Sequence, residues 1–286
     1  MKLALFDDNR LGIVDGDRVR DVTHALPFAY DPDPLTAGWW RRLCRDFPEL
    51  RDRLAAADGP EHALDGVLRR APVLNPSKVI AAASNYADHV AEMHGVQERT
   101  LGAIEGWMMN FDVFLKAPSS IAGPGEDIVL PKEVVAAGHE IHHESELVVV
   151  IGAGGKDIPV DVALEHVFGY TIGLDITVRS PADRSRRKSY DTFSPLGPWI
   201  ATADEIPDPG TLTIDLTVNG ETRQHVHTGD MITPVAAIVA YASQCMTLVP
   251  GDVLFTGAPP GVGPIVAGDD LHARISGLGE LRTSVR

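Results

Sequence analysis

Two glutamates, Glu144 and Glu146, stand two residues apart in ESELVVVIG, at the head of the β-branched run 148–151. On an extended chain both side chains point to one face. Side by side at the edge of an apolar run they repel each other and resist leaving water, so something must compensate them. A third carboxylate, Asp175, lies in GYTIGLDIT, on the next expected strand after a helical stretch at 160–167. A strand–helix–strand unit can set two such strands near one another. Three carboxylates converging on one point call for a cation. All-oxygen ligation favours a hard ion, Mg²⁺ or Mn²⁺, with positions left open for water or substrate. Spacing alone leaves a second reading equally open, because E-x-E is common on exposed strands and both glutamates could sit at a solvated strand end.

Other residues could also do chemistry. His89 and Glu92 are three apart and become neighbours on a helix, where a carboxylate beside imidazole raises its basicity and suits it to activate a water. Taken alone, the pair reads as a surface ion pair on an amphipathic helix. Lys188 ends the basic run 184–188, which alone reads as a solvated loop. Arg179 could grip a carboxylate through two parallel N–H donors. Thr256 and Gly257 end a strand and open a Gly/Pro loop, which fits a tight turn equally well. His139, His142 and His143 read as loop histidines rather than ligands. VVVIGAGGKDI imitates a dinucleotide fingerprint, but Asp157 stands where the third glycine belongs, and the next helix starts only after Pro159, too late for a phosphate to rest on it.

These residues need elements to hold them. KLALF and LGIVDGDRVRDV read as short strands, followed by helical material over 35–69. Pro72 and Pro76 interrupt the chain and a strand restarts at 78–83, which puts a domain boundary near residue 72. Beyond it strands are expected at 127–131, 145–152, 169–177, 212–226, 252–257 and 269–285. Asn219-Gly220 marks a hairpin, and helices are expected at 160–167 and 235–246. Residues 93–113, with Trp107, Met108 and Met109, lack a clean period. With 286 residues, 44% hydrophobic and 23% charged, the composition is that of an ordinary soluble globular protein. A net charge of −15 makes nucleic acid and anionic membranes poor partners, and an anionic ligand would need local cations. The first residues do not read as a signal peptide, no stretch reads as a membrane span, and Cys44 and Cys245 give neither a disulfide framework nor a zinc spacing. All of this fits a cytoplasmic protein.

SNYADHVAEM (84–93), FLKAPSS (114–120), ESELVVVIG (144–152), GYTIGLDITVR (169–179), RKSYDTFSPLGPW (187–199), VNGETRQ (218–224), MTLVPGDVLFTGAPPGVGP (246–264) and ISGLGELRTSV (275–285) follow in one order. Together they resemble the fumarylacetoacetate hydrolase family, over nearly three quarters of the chain from about residue 78. The resemblance implies a strand-rich α+β fold, a mixed β-sandwich roll with peripheral helices over 72–286, preceded by a small N-terminal α+β domain over 1–71. It also implies a homodimer. It implies that Glu144, Glu146 and Asp175 hold Mg²⁺ or Mn²⁺, that His89 and Glu92 sit on a lid helix and activate water, and that Lys188 stabilises developing negative charge. Tyr86, Arg179, Thr256 and Gly257 would contact substrate. Ser180 departs from the acid usual after the arginine, and Arg187 from the glycine usual before the lysine. The 93–113 excursion is longer than the family usually has and would shape specificity or pack on a dimer mate.

The activity implied is cleavage of the C3–C4 bond of an acylpyruvate, a 2,4-dioxo acid of the fumarylpyruvate type, to pyruvate and a carboxylic acid. The same site suits isomerisation or decarboxylation of related 2-oxo or 2-hydroxydienedioic acids. A catalytically inactive metal- or ligand-binding protein is the rival of a different class. The presence of all three carboxylates with His89, Glu92 and Lys188 argues against it.

Overall fold

The computed structural model describes residues 1–101 and 110–286. Trp107, Met108 and Met109 of the expected excursion lie outside the described residues. The chain opens with an antiparallel meander of β1 (Lys2–Phe6), β2 (Arg10–Asp15) and β3 (Arg18–Asp21). Helix α1 (Gly38–Ala55) buries Trp39, Trp40, Leu43, Phe47, Leu50 and Leu54, an apolar stripe at three- and four-residue spacing. The helical stretch expected over 35–69 ends there, because Asp58-Gly59-Pro60 cannot continue a helix, and β4 (Glu61–Ala63) pairs with β3 instead.

Strand β5 (Val79–Ala83) leads through Asn85 into α2 (Ala87–Leu101), and β6 (Asp112–Lys116) returns antiparallel to β5. After β7 (Ile121–Ala122) a strand was expected at 127–131. Ile128 makes only an isolated parallel bridge to Val285, with backbone hydrogen bonds to Ser284 and Arg286, and the stretch forms no strand of its own. Then come α3 (Lys132–Ala136), β8 (Ile141–His143) and β9 (Ser145–Ile151). The stretch expected as a helix at 160–167 is a 3₁₀ helix, Val160–His166, followed by β10 (Val167–Leu174), β11 (Thr177–Val178), α4 (Arg184–Arg187) and β12 (Ser194–Thr202). Strands β13 (Thr213–Val218) and β14 (Glu221–His227) form the hairpin that Asn219-Gly220 signals, with φ of 52° and 80° as a type I′ turn requires. Helix α5 (Val235–Cys245), β15 (Val253–Phe255), β16 (Gly263–Pro264), β17 (Asp270–Ile275) and β18 (Gly279–Ser284) complete the chain.

One large sheet runs β4-β3-β2-β1-β12-β10-β9-β15-β5-β6, with β7 also on β12. Two smaller sheets run β11-β8-β16 and β14-β13-β17-β18. Strand β9 is buried on both faces. Leu147, Val149 and Ile151 pack with Ile214, Leu216 and Leu271 of the small sheet, while Val148 and Val150 pack with Phe168, Phe255 and the α1 stripe. This two-residue alternation lets one strand serve two cores. Segment 1–71, expected as a domain of its own, shares the large sheet through the β1–β12 ladder, Lys2 with Ala201 and Leu3 with Ile200.

The fully buried Asp252 ties β15 to β5. Its carboxylate accepts from Ser77 Oγ at 2.6 Å and from the Lys78 and Val249 N–H groups, and pairs with Lys78 Nζ at 2.7 Å. Asp252→Ala should lower stability by about 3 kcal/mol, since removing one side of a buried ionic cluster strands the other. Urea unfolding midpoints at constant m-value check this. A change within about 0.5 kcal/mol would mean the cluster is solvated in solution.

Candidate active site

The carboxylate centre forms where β9 meets β10. The two strands are antiparallel, with Glu146 opposite Gly173, so the unit is not the parallel crossover that a dinucleotide fold would need. Just before β9 and just after β10 the two chains stay joined, as the Asp175 N–H donates to the Glu144 carbonyl at 2.7 Å. Register therefore brings Glu144, Glu146 and Asp175 together. All three are buried, with one carboxylate oxygen from each within 4.8 Å of the others. Gly173 is obligatory in this register, because a Cβ there would stand 2.5 Å from Phe255 and Val148.

Cations surround two of the three acids. Lys188 Nζ donates to Glu144 at 2.6 Å, to Asp175 at 2.7 Å and to Thr177 Oγ1 at 2.6 Å. Arg179 donates to Glu144 at 2.6 Å, so it is anchored on that carboxylate although Ser180 replaces the acid that usually follows it. Lys116, at the end of β6, donates to Asp175 at 2.7 Å and to the Phe193 carbonyl at 2.9 Å. Burial favours a neutral Glu144, yet Lys188 and Arg179 hold its carboxyl well below the usual range. Burial pulls the Lys116 ammonium down, outweighing the opposite pull of the Asp175 charge. Glu146 is different. Its hydrogen bond comes from the Gly257 N–H at 2.6 Å, and burial with the Asp175 and Glu144 charges pushes its carboxyl up. The cluster thus has one carboxylate with no cation on it among the described residues and an all-oxygen donor set, which fits a hard divalent ion.

Lys116 was not singled out in the sequence. A lysine ending a strand reads as a side chain that reaches water, and only the fold shows that it points inward. Asn85 was also missed. Its buried amide donates to the Thr256 and Thr233 carbonyls at 2.7 and 3.0 Å and accepts from the Thr233 N–H at 2.7 Å, fastening the loop that carries Gly257. Gly257 has φ of 101°, a left-handed backbone, and a Cβ there would stand 2.7 Å from that of Asn85.

A cavity opens above the cluster, lined by Ser84, His89, Phe114, Glu144, Arg187 and Lys188 among others. His89 and Glu92 lie on α2, with Nδ1 and Oε2 3.7 Å apart, an ion-pair distance longer than a hydrogen bond. Burial favours a neutral Glu92, but His89 and the Gly261 N–H, which donates at 3.0 Å, outweigh it and hold the carboxyl low. Tyr86 is buried beside the acids with its hydroxyl unpartnered among the described residues, and burial with Glu146 pushes its phenol up. Thr256 does not line this cavity, because its hydroxyl donates to the Leu147 carbonyl at 2.9 Å. What the Thr256-Gly257 pair offers the centre is the Gly257 N–H. His142 and His143 lie in β8 rather than in a loop, and burial with the neighbouring His142 pushes His143 down to about 4.

Three buried carboxylates brought together beneath a cavity that holds His89 and Lys188 have the make-up of an enzyme's metal centre. The fumarylacetoacetate (FAA) hydrolase C-terminal family matches residues 78–286, and the chain belongs to this family. A maleylpyruvate hydrolase from Aquipseudomonas alcaligenes is 40% identical over 290 residues, covering 100% of this chain and 99% of that protein. The crystal structure of maleylpyruvate hydrolase from Sphingobium sp. SYK-6 in complex with manganese(II) ion and pyruvate superposes with a TM-score of 0.86 at 40% identity, covering 100% of this chain and 98% of that one. A 2-hydroxyhepta-2,4-diene-1,7-dioate isomerase from Mycobacterium marinum superposes with a TM-score of 0.74 at 32% identity, covering 100% and 98%.

Proposed function

We propose that this protein is a divalent-metal-dependent hydrolase of acylpyruvates, cleaving the C3–C4 bond to give pyruvate and a carboxylic acid. The observation that carries the reading is the buried Glu144–Glu146–Asp175 cluster beneath a cavity rimmed by His89. The manganese and pyruvate in the related Sphingobium enzyme support it. Mn²⁺ or Mg²⁺ held by the three carboxylates would supply Lewis-acid stabilisation of charge at the 2-oxo acid end of the substrate. His89, steadied by an ionised Glu92, takes a proton from water as its oxygen attacks the C4 carbonyl. The C3–C4 electron pair then passes to C3, leaving a pyruvate enolate whose charge Lys188 is placed to stabilise. A proton returned to C3 completes pyruvate. Three cationic side chains, Lys116, Lys188 and Arg179, already pair with Glu144 and Asp175 of the cluster, so a divalent ion held there would suit the centre to an anionic substrate.

The same reading keeps the protein cytoplasmic and homodimeric. No helix among the described residues is long and apolar enough to cross a membrane. The exposed Val129, Val135 and Val266 supply an apolar face for a second copy. Mn²⁺-loaded protein incubated with a panel of 2,4-dioxo acids should release pyruvate, detected by proton NMR, and chelation should stop it. Double-bond or keto–enol isomerisation without pyruvate release would favour the isomerase reading, which the Mycobacterium marinum enzyme supports.

A further inference from the structure

Four cationic side chains line the cavity, Arg179, Arg184, Arg187 and Lys188, against a single acid among the described residues, Glu144. Arg179 and Lys188 are committed to that acid. Arg187 is not. It is half-buried as the last residue of α4, immediately before Lys188, and its Nε is buried with no hydrogen-bond partner among the described residues. Burial, with Arg179 and Arg184 close by, pushes its guanidinium down to about 10. Glu144 and Asp183 lend it some opposite charge, but among the described residues no acceptor meets the buried Nε, and a buried donor left unpaired is unfavourable. An anion entering the cavity would supply that acceptor, and a guanidinium fork matches a carboxylate.

We propose that Arg187 binds a second carboxylate, at the acyl end of the substrate, so that the enzyme selects dicarboxylic acylpyruvates over monocarboxylic ones. This rests on the acylpyruvate reading of the site, with the 2-oxo acid end at the carboxylate cluster and the acyl end toward α4. Lys188 contacts Glu144 and Asp175 while its chain neighbour Arg187 faces the cavity. Adjacent residues thus serve the two ends of one ligand. The family resemblance leads one to expect glycine at position 187, so this arginine is a specific feature of the chain.

The test uses two probes of equal length that contain no cleavable dioxo bond, 2-oxoheptanedioate and 2-oxoheptanoate. Their dissociation constants are measured by calorimetry on the Mn²⁺-loaded full chain. The wild type should bind the diacid roughly 10–100-fold more tightly, the range of a charge-assisted hydrogen-bonded pair. Arg187→Met should bring the two affinities within about threefold, and Arg187→Lys should keep an intermediate preference, because a point charge lacks the planar fork. Arg187→Gly, the residue expected from the family, is the second variant should the methionine disturb folding. Equal affinities in the wild type, or a diacid preference that survives in Arg187→Met and Arg187→Gly, overturns the assignment. Absence of pyruvate release from acylpyruvates would remove the hydrolase reading, while the binding ratio would still decide the role of Arg187.

Discussion

Glu146→Gln should weaken Mn²⁺ binding by more than about 100-fold, beyond the 10–100-fold typical of losing a partner that merely supports a ligand, and activity at fixed metal should fall with it. The same change should raise the melting temperature of the metal-free protein. Gly257 donates one hydrogen bond to this carboxylate, which otherwise faces Asp175 and Glu144 within a buried centre. An amide of the same shape removes the repulsion, and each kcal/mol gained raises Tm by about 2–4 °C in a domain approaching this size. The wild type should gain stability on adding Mn²⁺ by mass action, and the variant should not. Calorimetric titration and thermal unfolding with and without metal measure both effects. A variant that binds Mn²⁺ as the wild type does would show that Glu146 is no ligand. One whose metal-free Tm falls would show that the acids do not oppose each other.

His89→Ala lowers kcat by about 10²–10⁴ if the imidazole is the general base, and leaves Mn²⁺ affinity within a few-fold. Its contact with Glu92 and the anchoring of Glu92 on the Gly261 N–H hold the imidazole at the rim of the cavity, apart from the three carboxylates. Glu92→Gln should lower kcat by a smaller factor, because it removes orientation and charge but not the proton acceptor. Single-turnover rates separate chemistry from product release. An unimpaired single-turnover rate in His89→Ala would falsify the general-base assignment.

Much of this was legible wherever local chemistry and global structure agree. The hairpin at Asn219-Gly220 follows from the left-handed conformations those residues tolerate. The run 145–151 reads as a strand from its β-branched residues, and the two-residue spacing of Glu144 and Glu146 anticipates their shared cluster. What could not be read are properties of the assembled sheet. Lys116 looks like a solvated strand end until β6 is laid beside β5 and its ammonium lands on Asp175. Asn85 is one amide among many until it is seen to fasten two loops. The stretch 127–131 has the composition of a strand, but its pairing is decided by a distant segment that offers Ile128 no more than a single bridge at Val285. The N-terminal segment looks separable by composition and turn signals, and no local pattern in it reports that β1 finds its neighbour about two hundred residues away.

That long-range neighbour governs what the protein risks when it is incompletely folded. Until β1 docks, β12 presents the unpaired backbone donors and acceptors of its outer edge beside exposed apolar surface from Leu196 and Ile200. Such an edge is a template for another chain. The N-terminal meander therefore acts as a cap against intermolecular strand addition. It precedes in the chain the strand it protects and must wait for it. Loss of the meander would be felt first as aggregation during expression, ahead of any defect in the chemistry of the acidic centre on the far side of β10.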